Sequence, residues 1–167
     1  LQDLLDDREQ LVFVKNSIRG KGMKGAVGTA ASYKELLSDS PISSIEMERM
    51  VMDELGIKAY DAATQIYSRK QDLRIIEALS SIACTLHKFS LDFRILQSPP
   101  IGEFSEPFGK MQVGSSAMPF KRNPINSEKI DSLSRIVENA YQSAWNNAAT
   151  TVLERSLDDS ANRRIFI

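Results

Sequence analysis

"IIEALSSIACTLHKFSLDFRIL", residues Ile75 to Leu96, decides the fold class of this chain. Ile75, Leu79, Ile82, Leu86, Phe89, Phe93 and Leu96 recur in steps of four and three. That period holds apolar side chains on one stripe of an α-helix for about six turns, the pattern of a helix packed lengthwise against a partner. A half-buried strand needs alternation in steps of two, which this stretch lacks. Two other side chains on the helix attract attention. His87, the single histidine, reads as a packing residue beside the stripe, since metal-ligand spacing is absent around it. Cys84 reads as a small buried hydrophobe.

Helical periods extend in both directions. Leu1, Leu4, Leu5, Leu11 and Val12 mark a first helix that ends near the glycines of "RGKGMKG". A short helix is expected from Ala31 to Leu37. Ser43 followed by Glu46 is a capping-box signature that opens a helix carrying Ile45, Met50, Val51 and Leu55 and closing at Gly56. Beyond the long helix, Ile130, Leu133, Val137, Ala140 and Ala144 predict a last long helix starting near Asn126 and Ser127, with small residues that suit close packing. The expectation is an all-α, long-helix bundle, one domain over residues 1–167, interrupted by a long loop at about 98–125.

Composition narrows the function. With 21 basic and 22 acidic side chains the net charge is −1, so no global field recruits nucleic acid or an anionic membrane. The single cysteine excludes an internal disulfide framework and fits a reducing, cytoplasmic setting. No apolar run reaches membrane-spanning length. Residue 1 is already inside a helical pattern, so the chain reads as the central part of a longer polypeptide.

"GKGMKG", Gly20–Gly25, matches a dinucleotide fingerprint in letters alone. Such a fingerprint works only between a strand and a helix, and here it follows a helix. The loop is more informative. Five of the six prolines and three of the eight glycines lie between Pro99 and Pro124, ending in "GSSAMPFKRNP", Gly114–Pro124. The residues could simply shape a turn. Yet the Ser115 hydroxyl, the Lys121 ammonium and the Asn123 amide are also the groups needed to bind a carboxylate and move a proton beside it. Serine is a weak base, so that role requires backbone N–H groups or a cation to stabilise its alkoxide.

"GSSAMPFKRNP" resembles the signature loop of the fumarase/aspartase superfamily at every position of the pattern G-S-S-x-M-P-x-K-x-N-P. "LDDSANRR" (Leu157–Arg164), "QIYSRK" (Gln65–Lys70) and "KGAVGTAAS" (Lys24–Ser32) are similar to segments of its adenylosuccinate-cleaving branch. The resemblance implies a β-elimination that releases fumarate without metal or redox cofactor, carried out by a homotetramer with sites shared between subunits. It implies Ser115 as the catalytic base, and Lys121 and Asn123 as holders of the succinyl carboxylates, with Met118 in the same loop. Gln65 is implied to bind substrate, and Arg155, Ser160 and Arg164 to bind the nucleotide and its phosphate. Lys129 stands where relatives often carry an arginine, and Ala30 where "GTQAS" relatives carry glutamine. The implied general acid is a histidine in a motif absent from this chain, so these residues alone are expected to be inactive. Two alternatives remain: another fumarate-releasing lyase, such as one acting on argininosuccinate, or a non-catalytic helical oligomerisation module.

Overall fold

A computed structural model describes the chain except Lys110, Met111, Pro119, Glu154, Ser156 and Ile167, and the side chain of Phe166. Pro119 of the signature-like loop therefore lies outside the described residues. The described residues form six helices: α1 Gln2–Ser17, α2 Ala31–Leu36, α3 Ser44–Glu54, α4 Lys70–Gln97, α5 Ile125–Thr150 and α6 Arg163–Phe166. The expected all-α class holds, and the only strand-like pairing among them is a bridge between Gly20 and Ala59.

α4 and α5 form an antiparallel hairpin that organises everything else. With 28 residues, α4 is about 42 Å long. At one end Leu73 and Ile76 pack with Ala144, flanked by Ala140 and Ala148. Midway the Ser80 hydroxyl donates to the Val137 carbonyl at 3.3 Å. At the far end Arg94 pairs with the buried Asp131 at 2.5 Å. Small residues at this interface, among them Ser90, Ser134 and Ala144, let the two helices approach closely.

The expected apolar stripe of α4 is not the face that meets α5. Leu79, Leu86 and Phe89 are 42%, 39% and 60% exposed, whereas Leu73, Ile76, Ala83 and Ser90 are buried. At 100° per residue the two faces lie roughly 100° apart around the helix. Heptad spacing shows that a face is apolar and says nothing about which partner covers it. Cys84 is exposed, not buried; its neighbour Ala83 takes the interior position, because Cys84 lies one residue further round from the α5 interface.

α1 behaves in the same way. It docks on α4 through polar contacts, Ser81 to Asp7 at 2.7 Å and Lys88 to Asp3 at 3.4 Å. Its own leucine stripe, Leu4, Leu5 and Leu11, stays 42–50% exposed. Ile45, Met50 and Leu55 of α3 are also exposed, and Met52 is the hydrophobic side chain that α3 buries. The total accessible surface is 12064 Å². A compact monomer of this mass, 18.7 kDa, exposes roughly 8,300 Å².

Local signals fared better than packing. Ser43 and Glu46 form the expected reciprocal capping box at the start of α3. The glycine run Gly20–Gly25 packs on α3: a side chain at Gly20 would meet the Met52 methyl at 2.7 Å, and buried Lys24 pairs with Glu48 at 2.6 Å. Ala30, at the N-cap of α2, takes a left-handed conformation with φ of 55°.

Candidate active-site residues

The candidate residues gather at opposite ends of the α4–α5 hairpin. Ser115, Met118, Lys121, Asn123 and Lys129 lie where α4 ends and α5 begins. Gln65, Arg155, Ser160 and Arg164 lie where α4 begins and α5 ends. The helix between them puts the two groups on the order of 40 Å apart.

At the first end the loop is tied down by both helices. Gln97, on the last turn of α4, accepts from the Glu106 amide at 2.8 Å and donates to the Arg122 carbonyl at 3.1 Å. Phe104 stacks near Phe93, with ring centres 5.5 Å apart. The Arg122 guanidinium lies over the Phe108 ring at 5.4 Å. The N-cap position of α5 is Pro124, which has no side-chain hydrogen bond to offer. Glu106 supplies the cap from a distance: its carboxylate accepts from the Asn126 amide at 3.0 Å and from the Ser127 amide and hydroxyl at 2.8 Å. Burial works to raise the Glu106 pKa, but these hydrogen bonds outweigh it and hold the carboxyl below its ordinary value of 4.5. Orphan N–H groups at a helix start favour such a negative partner.

Within the loop, Gly114 sits against the Lys121 carbonyl so closely that a Cβ would overlap its oxygen. The segment from 114 to 121 is thereby closed on itself. Inside it, the Ser115 hydroxyl oxygen accepts from the amides of Ala117 and Met118, both at 3.2 Å. Two backbone donors on one serine oxygen are what the expected base requires, because they stabilise negative charge there. Ser115 and Asn123 are half-buried, while Met118, Lys121 and Lys129 face solvent.

At the second end, Arg155, Ser160 and Arg164 line one cavity of about 430 Å³ together with Arg69, Asp159 and Arg163. Arg69 and Arg163 are neutralised by carboxylates: Arg69 pairs with Asp159 at 2.7 Å and Arg163 with Asp72 at 3.0 Å. Arg155 and Arg164 are exposed, and neither pairs with a carboxylate among the described residues. The cavity thus offers two uncompensated guanidiniums beside a hydroxyl, a suitable cradle for a phosphate. Gln65 is exposed, two residues before Tyr67, whose phenol donates to Asp72 at 2.8 Å and accepts from Arg163 at 3.1 Å. Burial, and then the hydrogen bond to Asp72, push the Tyr67 pKa up.

His87 lies near the middle of α4, away from both groups, in a cavity shared with Ser80, Cys84, Lys88, Ser134 and Glu138. Sequence reasoning gave no role to Glu106, Gln97, Arg69, Asp72 or Asp159. "QIYSRK" and "LDDSANRR" contain two of them, but pairings across some ninety residues leave no local spacing to read.

Residues 4–138 match the model of a family described as Lyase. The chain is 44% identical over its whole length to adenylosuccinate lyase of Schistosoma mansoni. It is 40% identical over its whole length to that of Saccharomyces cerevisiae, and 40% over 95% of its length to that of Pyrococcus horikoshii. It spans about a third of the length of these relatives, 35%, 34% and 34% respectively. In fold it is similar to the 3-carboxy-cis,cis-muconate lactonizing enzyme of Pseudomonas putida (TM-score 0.79, 21% identity, 98% of this chain and 34% of that one). A fumarate lyase/delta-crystallin of Brucella melitensis is likewise similar (TM-score 0.72, 21% identity, 98% and 35%). The lyase match over most of the chain, the helical hairpin and the loop at Ser115 agree, and the chain belongs to this lyase family, within the fumarase/aspartase superfamily.

Proposed function

We propose that these residues form part of an enzyme that cleaves adenylosuccinate to AMP and fumarate, and the succinylated aminoimidazole carboxamide ribotide to its amide and fumarate. The observation that carries the reading is the presence in one chain of a serine oxygen held by two backbone amides and a cavity with two guanidiniums that pair with no carboxylate among the described residues.

In the proposed β-elimination, Ser115 takes the proton from the carbon beside a succinyl carboxylate. The electron pair left behind is held as an aci-carboxylate stabilised by Lys121 and Asn123, then forms the double bond of fumarate as the C–N bond breaks. The departing nitrogen receives a proton from an acid that the family resemblance assigns to a histidine outside these 167 residues. Gln65, Met118 and Lys129 complete the contacts to substrate. Arg155, Ser160 and Arg164 hold the nucleotide phosphate. A substrate without phosphate, such as argininosuccinate, leaves both cations without a task, which favours the nucleotide.

A nucleotide is far shorter than the α4–α5 hairpin, so one chain cannot present both groups to one substrate. The proposed site is therefore shared: the Ser115 loop of one subunit meets the phosphate cavity of another in a homotetramer. The uncovered stripe of α4 and the large exposed surface support such an assembly. Among the described residues no helix is long and apolar enough to cross a membrane. The proposed setting is the cytoplasm, where a lone exposed thiol such as Cys84 stays reduced.

The test is turnover of adenylosuccinate by the full-length protein carrying Ser115→Ala. A fall in kcat of about 10²–10⁴-fold with AMP binding retained is expected for loss of a general base. Near-normal kcat would remove Ser115 from that role. The isolated 167-residue piece is expected to show no turnover.

A further inference from the structure

Two arginines and two aspartates interlock at the proposed phosphate cavity, with Arg69, Asp159 and Arg163 in its lining. Arg69 lies 2.7 Å from Asp159 and 3.6 Å from Asp72; Arg163 lies 3.0 Å from Asp72 and 3.7 Å from Asp159. Arg69 and Asp159 are 5% and 4% exposed. Their charges cancel, so this quartet adds no net attraction for an anion. Its geometry does something else.

Asp159 and Arg163 belong to the turn that carries Ser160 and Arg164, while Arg69 and Asp72 belong to the start of α4. The same turn is fastened to α5 by a reciprocal amide pair between Asn147 and Asn162, at 2.8 and 3.0 Å. Tyr67 bridges the quartet to the segment carrying Gln65, with the Arg69 guanidinium 5.2 Å from its ring centre. Among the described residues, the turn is held to α4 through Asp159 and Arg163 and to α5 through Asp158 and Asn162. Ser160 and Arg164 are left as its presented groups.

We propose that Asp159 is a positioning residue for phosphate binding: by bridging Arg69 and Arg163 it fixes the 157–164 turn so that Ser160 and Arg164 address one anion together. This rests on the phosphate reading of the cavity given above. The Asp159 carboxylate is directed to Arg69 and Arg163 and, as an anion, offers nothing to a phosphate, so in this proposal it acts through the turn that carries Arg164. A rigid, buried ion pair suits that task because its members have few alternative partners, so the turn keeps its shape before the ligand arrives.

A double-mutant cycle on the full-length protein, read as the Kd for AMP and as kcat and KM for adenylosuccinate, tests it. Asp159→Asn keeps the shape of the side chain and removes its charge. It is expected to raise the AMP Kd about tenfold, the size of one charge-assisted contact, and to raise KM far more than it lowers kcat. In an Arg164→Ala background the same change is expected to add little. If Arg164→Ala weakens AMP and Asp159→Asn either has no effect or adds in full, the positioning role is overturned and the phosphate cavity stands. If Arg164→Ala leaves the AMP Kd unchanged, the phosphate reading fails and the proposal falls with it. Should Asp159→Asn not fold, Arg69→Lys serves: it keeps a positive charge opposite Asp159 and loses the planar guanidinium that spans Asp159 and Asp72. A rise of a few fold that vanishes in the Arg164→Ala background supports the role, and an unchanged Kd overturns it.

Discussion

Gly114 has no room for a side chain, because the Lys121 carbonyl occupies the space that a Cβ would need. Gly114→Ala must push the loop open and misplace the Ser115 oxygen relative to its two amide donors. The expected outcome is a large loss of kcat with helix content unchanged by circular dichroism. The AMP Kd should change little, since in the proposed site the phosphate is held by Arg155, Ser160 and Arg164 and the loop acts on the succinyl part that AMP lacks. A parallel loss of AMP affinity would show that the two ends are not independent. Ser115, Lys121 and Asn123 could be singled out as candidates from the sequence because they lie in one contiguous loop whose residue types suit one chemistry. Asp72 and Arg163 were not, because a contact between distant segments has no signature in spacing. Cys84 misled for a related reason: residue type gives the average burial of a cysteine, and the actual exposure depends on where α5 crosses.

At the scale of elements, termini were readable and faces were not. The Ser43–Glu46 box could be read because both partners sit within one turn. Ser43→Ala is expected to cost about 1 kcal/mol, measurable as a lower midpoint in urea unfolding. The cap of α5 comes from Glu106, twenty residues upstream of Asn126, and no local rule finds it. Its pH dependence has a definite sign. The folded pKa lies below 4.5, so the stabilisation is fully present above that value and is lost as the pH falls through the folded pKa. Glu106→Gln should therefore lower the Tm at pH 7, and the gap to the parent protein should close on acidification below 4.5. A gap that does not narrow would mean that the carboxylate charge is not what holds the helix start. The stripe from Ile75 to Leu96 gave the helix and its length. It did not give the partner, because the side that meets α5 lies about 100° round the helix and joins Leu73 and Ile76 with small residues such as Ala83 and Ser90.

For the whole molecule, the separation of the Ser115 loop from the phosphate cavity sets a test of assembly. Full-length Ser115→Ala, lacking the proposed base, and Arg164→Ala, weakened in substrate binding and assayed at low substrate, are expected to regain activity when dissociated together and reassembled. Random mixing would leave about a quarter of the shared sites with both groups intact. A mixture no more active than its parents would place both groups in one chain's site and overturn the shared arrangement. The surface of 12064 Å² bears on stability as well as on catalysis. In the proposed shared assembly, leucine and phenylalanine side chains left exposed on this chain are covered by other subunits, which couples folding to association. The melting temperature of the full-length protein is then expected to climb with protein concentration, and a value independent of concentration would count against that coupling.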